Sequence, residues 1–304
     1  MAFLKLIRYR ELLLIAGLLT LVHYGFLEVL KIPVGLSDLG LLLLIFATLC
    51  IAAAGHIIFK LEAGSPHQIS RPNRQIIKGI TEKKAFNLYL FLNVVGVVLG
   101  YYLSISAGTR VYAAVFVFVS ALIYTYANSL HKIVVVGNLL KAIIRITPLV
   151  TLMLFDLAAI YEGREALLRQ PVDVLIDYSV FLFLILLLRN LVRDIVKVDT
   201  AYLHGNKSIP TEFGKERTAK VVAVFALILV AGIGVYTYAY FSENKVMAGY
   251  FLFAMGLPLL VIAAKAWAAK GKVDYIKLSN WMDGILFVAA LCLLVLSFSL
   301  NFRK

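Results

Sequence analysis

The sequence predicts an all-α integral membrane protein of about nine transmembrane helices. Three observations carry that prediction. Of 304 residues, 62% are hydrophobic and only 15% charged, far from the balance of a soluble domain. The apolar residues gather in runs long enough to cross a bilayer. Lys and Arg, finally, collect in alternate connections between those runs.

Crossing a hydrocarbon layer takes about 20 apolar residues in a helix. Six uncharged runs meet that length: Leu39–Phe59, Ala85–Thr109, Val111–His131, Val221–Ser242, Val246–Ala264 and Gly284–Phe302. Three further spans are expected at Leu12–Leu27 continuing toward Leu30, at Ile133–Phe155 and at Val174–Val198, the last two with charges inside. Met1–Arg10 is basic, but the apolar run behind it has no small-residue cleavage site and makes a good span, so the N-terminus is expected to stay attached. Cys50 and Cys292 fall mid-span and read as small buried hydrophobes rather than a disulfide.

With nine spans and the N-terminus in the cytoplasm, 23 of the 30 Lys and Arg lie on the inner side. Seven lie outside: Lys31, Arg110, Arg164, Arg169, Lys245, Arg303 and Lys304. The bias predicts a protein of the inner (cytoplasmic) membrane with its N-terminus inside and its C-terminus outside. The net charge of +13 thus reads as topology plus attraction to anionic lipid, and not as nucleic-acid binding.

Two inner connections, Lys60–Lys84 and Val198–Lys220, are long, polar and basic, whereas outer ones such as Lys31–Asp38 are short. Each follows an even-numbered span, the second and the sixth, which suggests a weak repeat of two four-helix halves, about 1–131 and 132–266, with a ninth helix at about 280–302. Charges inside spans usually face a cavity or a partner. Lys141 and Arg145, four residues apart, are therefore expected at the inner mouth with Arg189, Arg193 and Asp194. Asp194 has the choice of a structural partner, Lys197 or Lys141, or of a ligand. His56 and His67, with Glu62, make no recognised metal spacing, and His23 and His131 read as helix-end or interior residues.

The stretch AAAGHIIFKLEAGSPHQISRPNR (Ala52–Arg74), with FLKLIRYRELLLIAG (Phe3–Gly17) before it, resembles the UbiA superfamily of membrane prenyltransferases, especially the geranylgeranylglyceryl phosphate branch. YANSLHKIVVVGNLL (Tyr126–Leu140), with its Gly137-Asn138 pair, and RNLVRDIVKVDTAYLHGNKSIPTEFG (Arg189–Gly214) follow in the family's order. The resemblance spans nearly the whole chain and implies a single UbiA-like transmembrane domain over 1–304. It further implies a prenyl diphosphate held by two Mg²⁺ ions, which Asp clusters in the two long inner loops coordinate. Mg²⁺ neutralises the leaving diphosphate and carboxylates fix the metal.

Those carboxylates are largely missing. The family's first pattern, N-D-x-x-D-x-x-x-D, falls on Phe59, Lys60, Ala63 and His67, and its second, D-x-x-D-x-x-x-D, on Asp194, Lys197 and Ala201, so one carboxylate of six survives. Glu62, Asp194 and Asp199 are the remaining candidates for catalysis, and no metal site is assigned. Lys60 and Lys197 instead put cations where the family puts anions. Together with Arg71, Arg74, Lys141, Arg145, Arg193 and Lys207 they are the candidates for binding an anion or lipid headgroup. The alternative is a lapsed cage whose lysines snorkel toward the inner face.

Two functions follow from these expectations. One is a degenerate UbiA-like protein, a pseudoenzyme without a cofactor, that binds membrane lipid, an isoprenoid or an anionic lipid, or serves a protein partner in the membrane. The other is an active prenyltransferase that moves a prenyl group to a lipid or aromatic acceptor, through a displaced Mg²⁺ site or without metal. A transporter ranks third, because the charges concentrate at the inner mouth rather than at the midplane.

Overall fold

A computed structural model describes residues 2–62, 75–77, 80–203 and 207–301. Among these, nine helices are long and apolar enough to cross a membrane: Tyr9–Glu28, Asp38–Glu62, Glu82–Ser106, Arg110–Asn128, Val134–Ile160, Glu165–Asp199, Lys215–Phe241, Lys245–Ala268 and Lys272–Phe298. Each expected span lies within or largely overlaps one of them. Large apolar side chains such as Leu39, Phe91, Val111, Val235, Phe253 and Phe287 remain exposed, as suits a surface whose solvent is lipid. The chain is an integral membrane protein.

Local chemistry sets the ends. Thr81 caps the third span by accepting from the Lys84 N–H at 3.4 Å, satisfying a donor that the first helical turn leaves open. Pro148 and Pro171 sit inside the fifth and sixth helices, a placement that membrane helices tolerate. A short helix, Ile209–Phe213, begins with a Ser208 and Thr211 capping box and Pro210, and ends at Gly214. Gly214 has φ +86°, open to glycine at little cost, and the seventh span starts directly behind it. One short antiparallel strand pair, Gln75–Ile77 with Ile80–Thr81, interrupts the otherwise helical order. Two spans carry π-helical stretches, Leu21–Glu28 in the first and Tyr250–Gly256 in the eighth.

The chain forms two compact units, Met1–His131 with Ile144–Ile176, and Lys132–Ile143 with Asp177–Lys304. The first unit packs its second span against its third and fourth through small residues. A Cβ on Gly96 would stand 2.6 Å from Ile51 Cγ1 and 3.0 Å from the Ala47 carbonyl oxygen, and one on Gly55 would stand 2.9 Å from Ile123 Cγ2. Small residues allow such approach where no hydrophobic effect drives helices together. Ser120 adds a hydrogen bond to Asn93 Oδ1 at 2.7 Å, joining the fourth span to the third. Gly96→Leu is accordingly expected to cost about 1–3 kcal/mol by overpacking, visible as a lower thermal midpoint in detergent.

The second unit buries Ala219, Val222, Ala223 and Ala226 of the seventh span and Leu259, Ile262, Ala263 and Ala266 of the eighth. Tyr178 and Tyr250 donate to the Ala289 and Val288 carbonyls at 3.2 and 2.7 Å, tying the sixth and eighth spans to the ninth. Cys50 and Cys292 are free, buried thiols.

Candidate functional site

In the first unit the charged residues gather on Glu11. Arg8, in the left-handed conformation just ahead of the first span, places Nη2 2.6 Å from Glu11 Oε1. His56 Nε2 and Arg145 Nη2 stand 3.6 and 3.7 Å from Glu11 Oε2. Lys60 lies one turn past His56 at the end of the second span, half-buried, and makes no ion pair among the described residues. The Phe59 ring stacks on Tyr126 at 5.9 Å and meets His131 edge-on at 5.6 Å. Glu62 is the last, exposed residue of the same helix.

In the second unit the cations are paired by acids. Lys141 Nζ stands 3.5 Å from Asp194 Oδ1. Arg189 Nε donates to Asp283 Oδ1 at 2.6 Å, and Arg193 Nη2 reaches the same carboxylate at 3.1 and 3.3 Å. Asp199 receives Lys215 at 2.6 Å, with Lys272 3.9 Å from its other oxygen. Asn190 donates to the Asn138 carbonyl at 3.3 Å, while the buried Asn138 Nδ2 has no hydrogen-bond partner among the described residues. Lys197 and Lys207 are exposed.

Of the expected anion-binding residues, Arg71 and Arg74 lie outside the described residues, as does His67. Lys141 meets Asp194 within the second unit, and Arg145 meets Glu11 within the first. Asp194 takes the structural partner Lys141. Arg193 pairs with Asp283, one position ahead of the apolar run from Gly284, and Glu11 likewise stands one position ahead of the run from Leu12. Both are acids at the edge of an expected apolar run, a signal that flags a partner or a pathway.

A shared metal would need its carboxylates within one oxygen shell. Asp194 and Asp199 lie on one continuous helix, Glu165–Leu203. Five residues of α-helix separate them by about 7.5 Å along the axis and roughly 140° around it. One ion with oxygens at about 2.0–2.6 Å is not shared across that gap, and each of the two faces lysine.

No protein-family model matches the chain. It is 28% identical over 192 residues to the digeranylgeranylglyceryl phosphate synthase of Sulfurisphaera tokodaii, covering 62% of this chain and 63% of that one. It is 25% identical over 266 residues to the enzyme of the same name from Methanoregula boonei, covering 87% and 85%. Among solved structures, one concerned with digeranylgeranylglyceryl phosphate synthase in membranes superposes with a TM-score of 0.65 at 18% identity, covering 97% of each chain. A UbiA homologue from Archaeoglobus fulgidus bound to DMAPP and Mg²⁺ gives 0.59 at 13% identity, over 96% of this chain and 99% of that one. An apo UbiA homologue from Aeropyrum pernix gives 0.62 at 15%, over 91% and 96%.

The fold is therefore that of the UbiA-type membrane prenyltransferases. Within that class the chain resembles the digeranylgeranylglyceryl phosphate synthases in sequence.

Proposed function

We propose that this protein binds an anionic isoprenoid lipid, a prenyl phosphate or diphosphate, on the UbiA scaffold without Mg²⁺ and without transferring the prenyl group. The observation that carries the reading is the fate of the acids: five of the six family positions hold other residues, and the survivor, Asp194, stands beside Lys141. Asp199 is engaged by Lys215 and Lys272, which supports the same reading.

In sequence, Lys60 and Lys197 occupy two of the family's acidic positions. Lys60 ends the second span, with Arg71 and Arg74 behind it, and Lys197 is followed by Lys207. An ammonium is a compact charge with three donors, enough to hold phosphate oxygens directly. It does not offer the Lewis acidity with which two Mg²⁺ ions stabilise a departing diphosphate. Binding without turnover follows. The protein sits in the inner membrane with its N-terminus in the cytoplasm, so that this basic end faces anionic lipid. A protein partner in the membrane is compatible with the same scaffold.

Metal removal tests the proposal. Native mass spectrometry of the purified protein with GPP is expected to show the same bound fraction in EDTA as in Mg²⁺. Binding that disappears in EDTA would refute a metal-free pocket. The similarity to named synthases favours a second reading, an active prenyltransferase acting on a lipid or aromatic acceptor. Mg²⁺-dependent product from geranylgeranylglyceryl phosphate would establish that reading in place of the first.

A further inference from the structure

We infer that His23, Glu28 and Asp38 form a binding site for a divalent transition metal of the Zn²⁺ class, held in place by Asp156. One ligand atom from each of the three residues lies within 4.8 Å of the other two. Tetrahedral neighbours in a zinc shell of 2.0–2.2 Å lie about 3.4 Å apart, so the three donors need to close by little more than an ångström. One imidazole with two carboxylates and a fourth position for water is a common zinc donor set.

Three further features of the first unit point to the same ion. His23 is 1% exposed and Asp156 fully buried, and His23 Nδ1 stands 2.7 Å from Asp156 Oδ2. That bond fixes the ring and leaves Nε2, which has no hydrogen-bond partner among the described residues, as the free donor. The arrangement is the carboxylate–histidine pair that orients metal-binding imidazoles and raises their basicity. Asp156 is fixed in turn, its Oδ1 accepting from the Leu36 N–H at 3.2 Å and its carbonyl from the Gly35 N–H at 2.9 Å. Asp38 is oriented by the Tyr24 hydroxyl, which donates to its Oδ1 at 2.8 Å and leaves Oδ2 for a ligand.

The backbone supplies the last feature. His23 and Glu28 are five residues apart, a spacing that an α-helix would turn about 140° away from one face. The π-helical stretch Leu21–Glu28 bonds each residue to the fifth one along and so brings positions 23 and 28 to neighbouring turns. Such π turns cluster at functional sites. Glu28 and Asp38 are exposed, which gives an ion access, while the imidazole is sealed behind them.

This site is separate from the one that the family resemblance implies. Asp38 and Glu62 are the two ends of one 25-residue helix, about 36 Å apart. The inference also rests on different residues from the proposed lipid binding, and either can fail alone.

The test uses Zn²⁺ alone with the full-length protein in detergent after EDTA treatment and its removal. Calorimetric titration is expected to give one Zn²⁺ per chain, and Glu28→Gln with Asp38→Asn to weaken it at least a hundredfold. Asp156→Asn is expected to weaken it about 10–100-fold, the usual effect of losing an orienting partner. Absence of binding by the unmodified protein, or equal binding by the Glu28→Gln/Asp38→Asn variant, overturns the inference. X-ray absorption of the zinc-loaded unmodified protein decides independently of variant folding. One imidazole nitrogen with oxygens supports the site, and two imidazoles or any sulfur ligand refutes it.

Discussion

Reversing both lysines, Lys60→Glu with Lys197→Glu, is expected to weaken binding of GPP and of prenyl phosphates at least a hundredfold while leaving the fold intact. The change moves the net charge by four units, and a basic residue near an anionic lipid surface contributes about 1 kcal/mol. Screening over a Debye length of about 8 Å halves the resulting 4 kcal/mol to about 2 kcal/mol, short of the 2.8 kcal/mol of a hundredfold change, so the full loss is reached only when the reversed charges also repel the ligand at close range. The prediction therefore requires direct contact, which is its value. Lys60 is half-buried and Lys197 exposed, so neither reversal leaves a charge sealed in the core. Native mass spectrometry with GPP reads the loss, and an unchanged bound fraction would place the headgroup elsewhere.

The second large effect is on stability. Asp283→Ala leaves Arg189, which is 7% exposed, and Arg193 without their shared carboxylate. Removing one partner of a fully buried pair costs about 3–5 kcal/mol. Asp283 is 43% exposed, so about 2–3 kcal/mol is expected here, read as a lower thermal midpoint in detergent. Replacing Arg189 and Asp283 together by Met and Leu is expected to cost less than the single change, because a buried pair is often exchanged for apolar packing at little loss. If Asp283→Ala were neutral, the clamp would have no structural role.

Hydropathy made the spans legible because lipid demands long apolar runs whatever the family. It did not make their ends legible. The helix from Glu165 begins well before the Val174 expected from the apolar run, since charged first turns continue a helix into the interfacial layer, where their side chains find water. The acids that organise the charged clusters, Glu11, Asp156 and Asp283, each sit at or just beyond the edge of an expected apolar run and were passed over for that reason.

At the candidate site, the loss of family carboxylates was readable residue by residue, because a motif is a fixed spacing. Which cation meets which acid was not. Lys141 and Arg145 share a face of an ideal helix, yet their partners come from different stretches of the chain, Asp194 and Glu11. The pairing of His23 with Asp156 joins residues 133 positions apart, and the π turn beneath it follows no apolar periodicity that a sequence displays.

The central claim, binding without transfer, meets its most direct test in diphosphate release. The purified protein, supplied with GPP, Mg²⁺ and geranylgeranylglyceryl phosphate in lipid nanodiscs, is expected to retain intact GPP and to release no diphosphate above the protein-free control. Mg²⁺-dependent release of diphosphate, matched by prenylated acceptor, would contradict it.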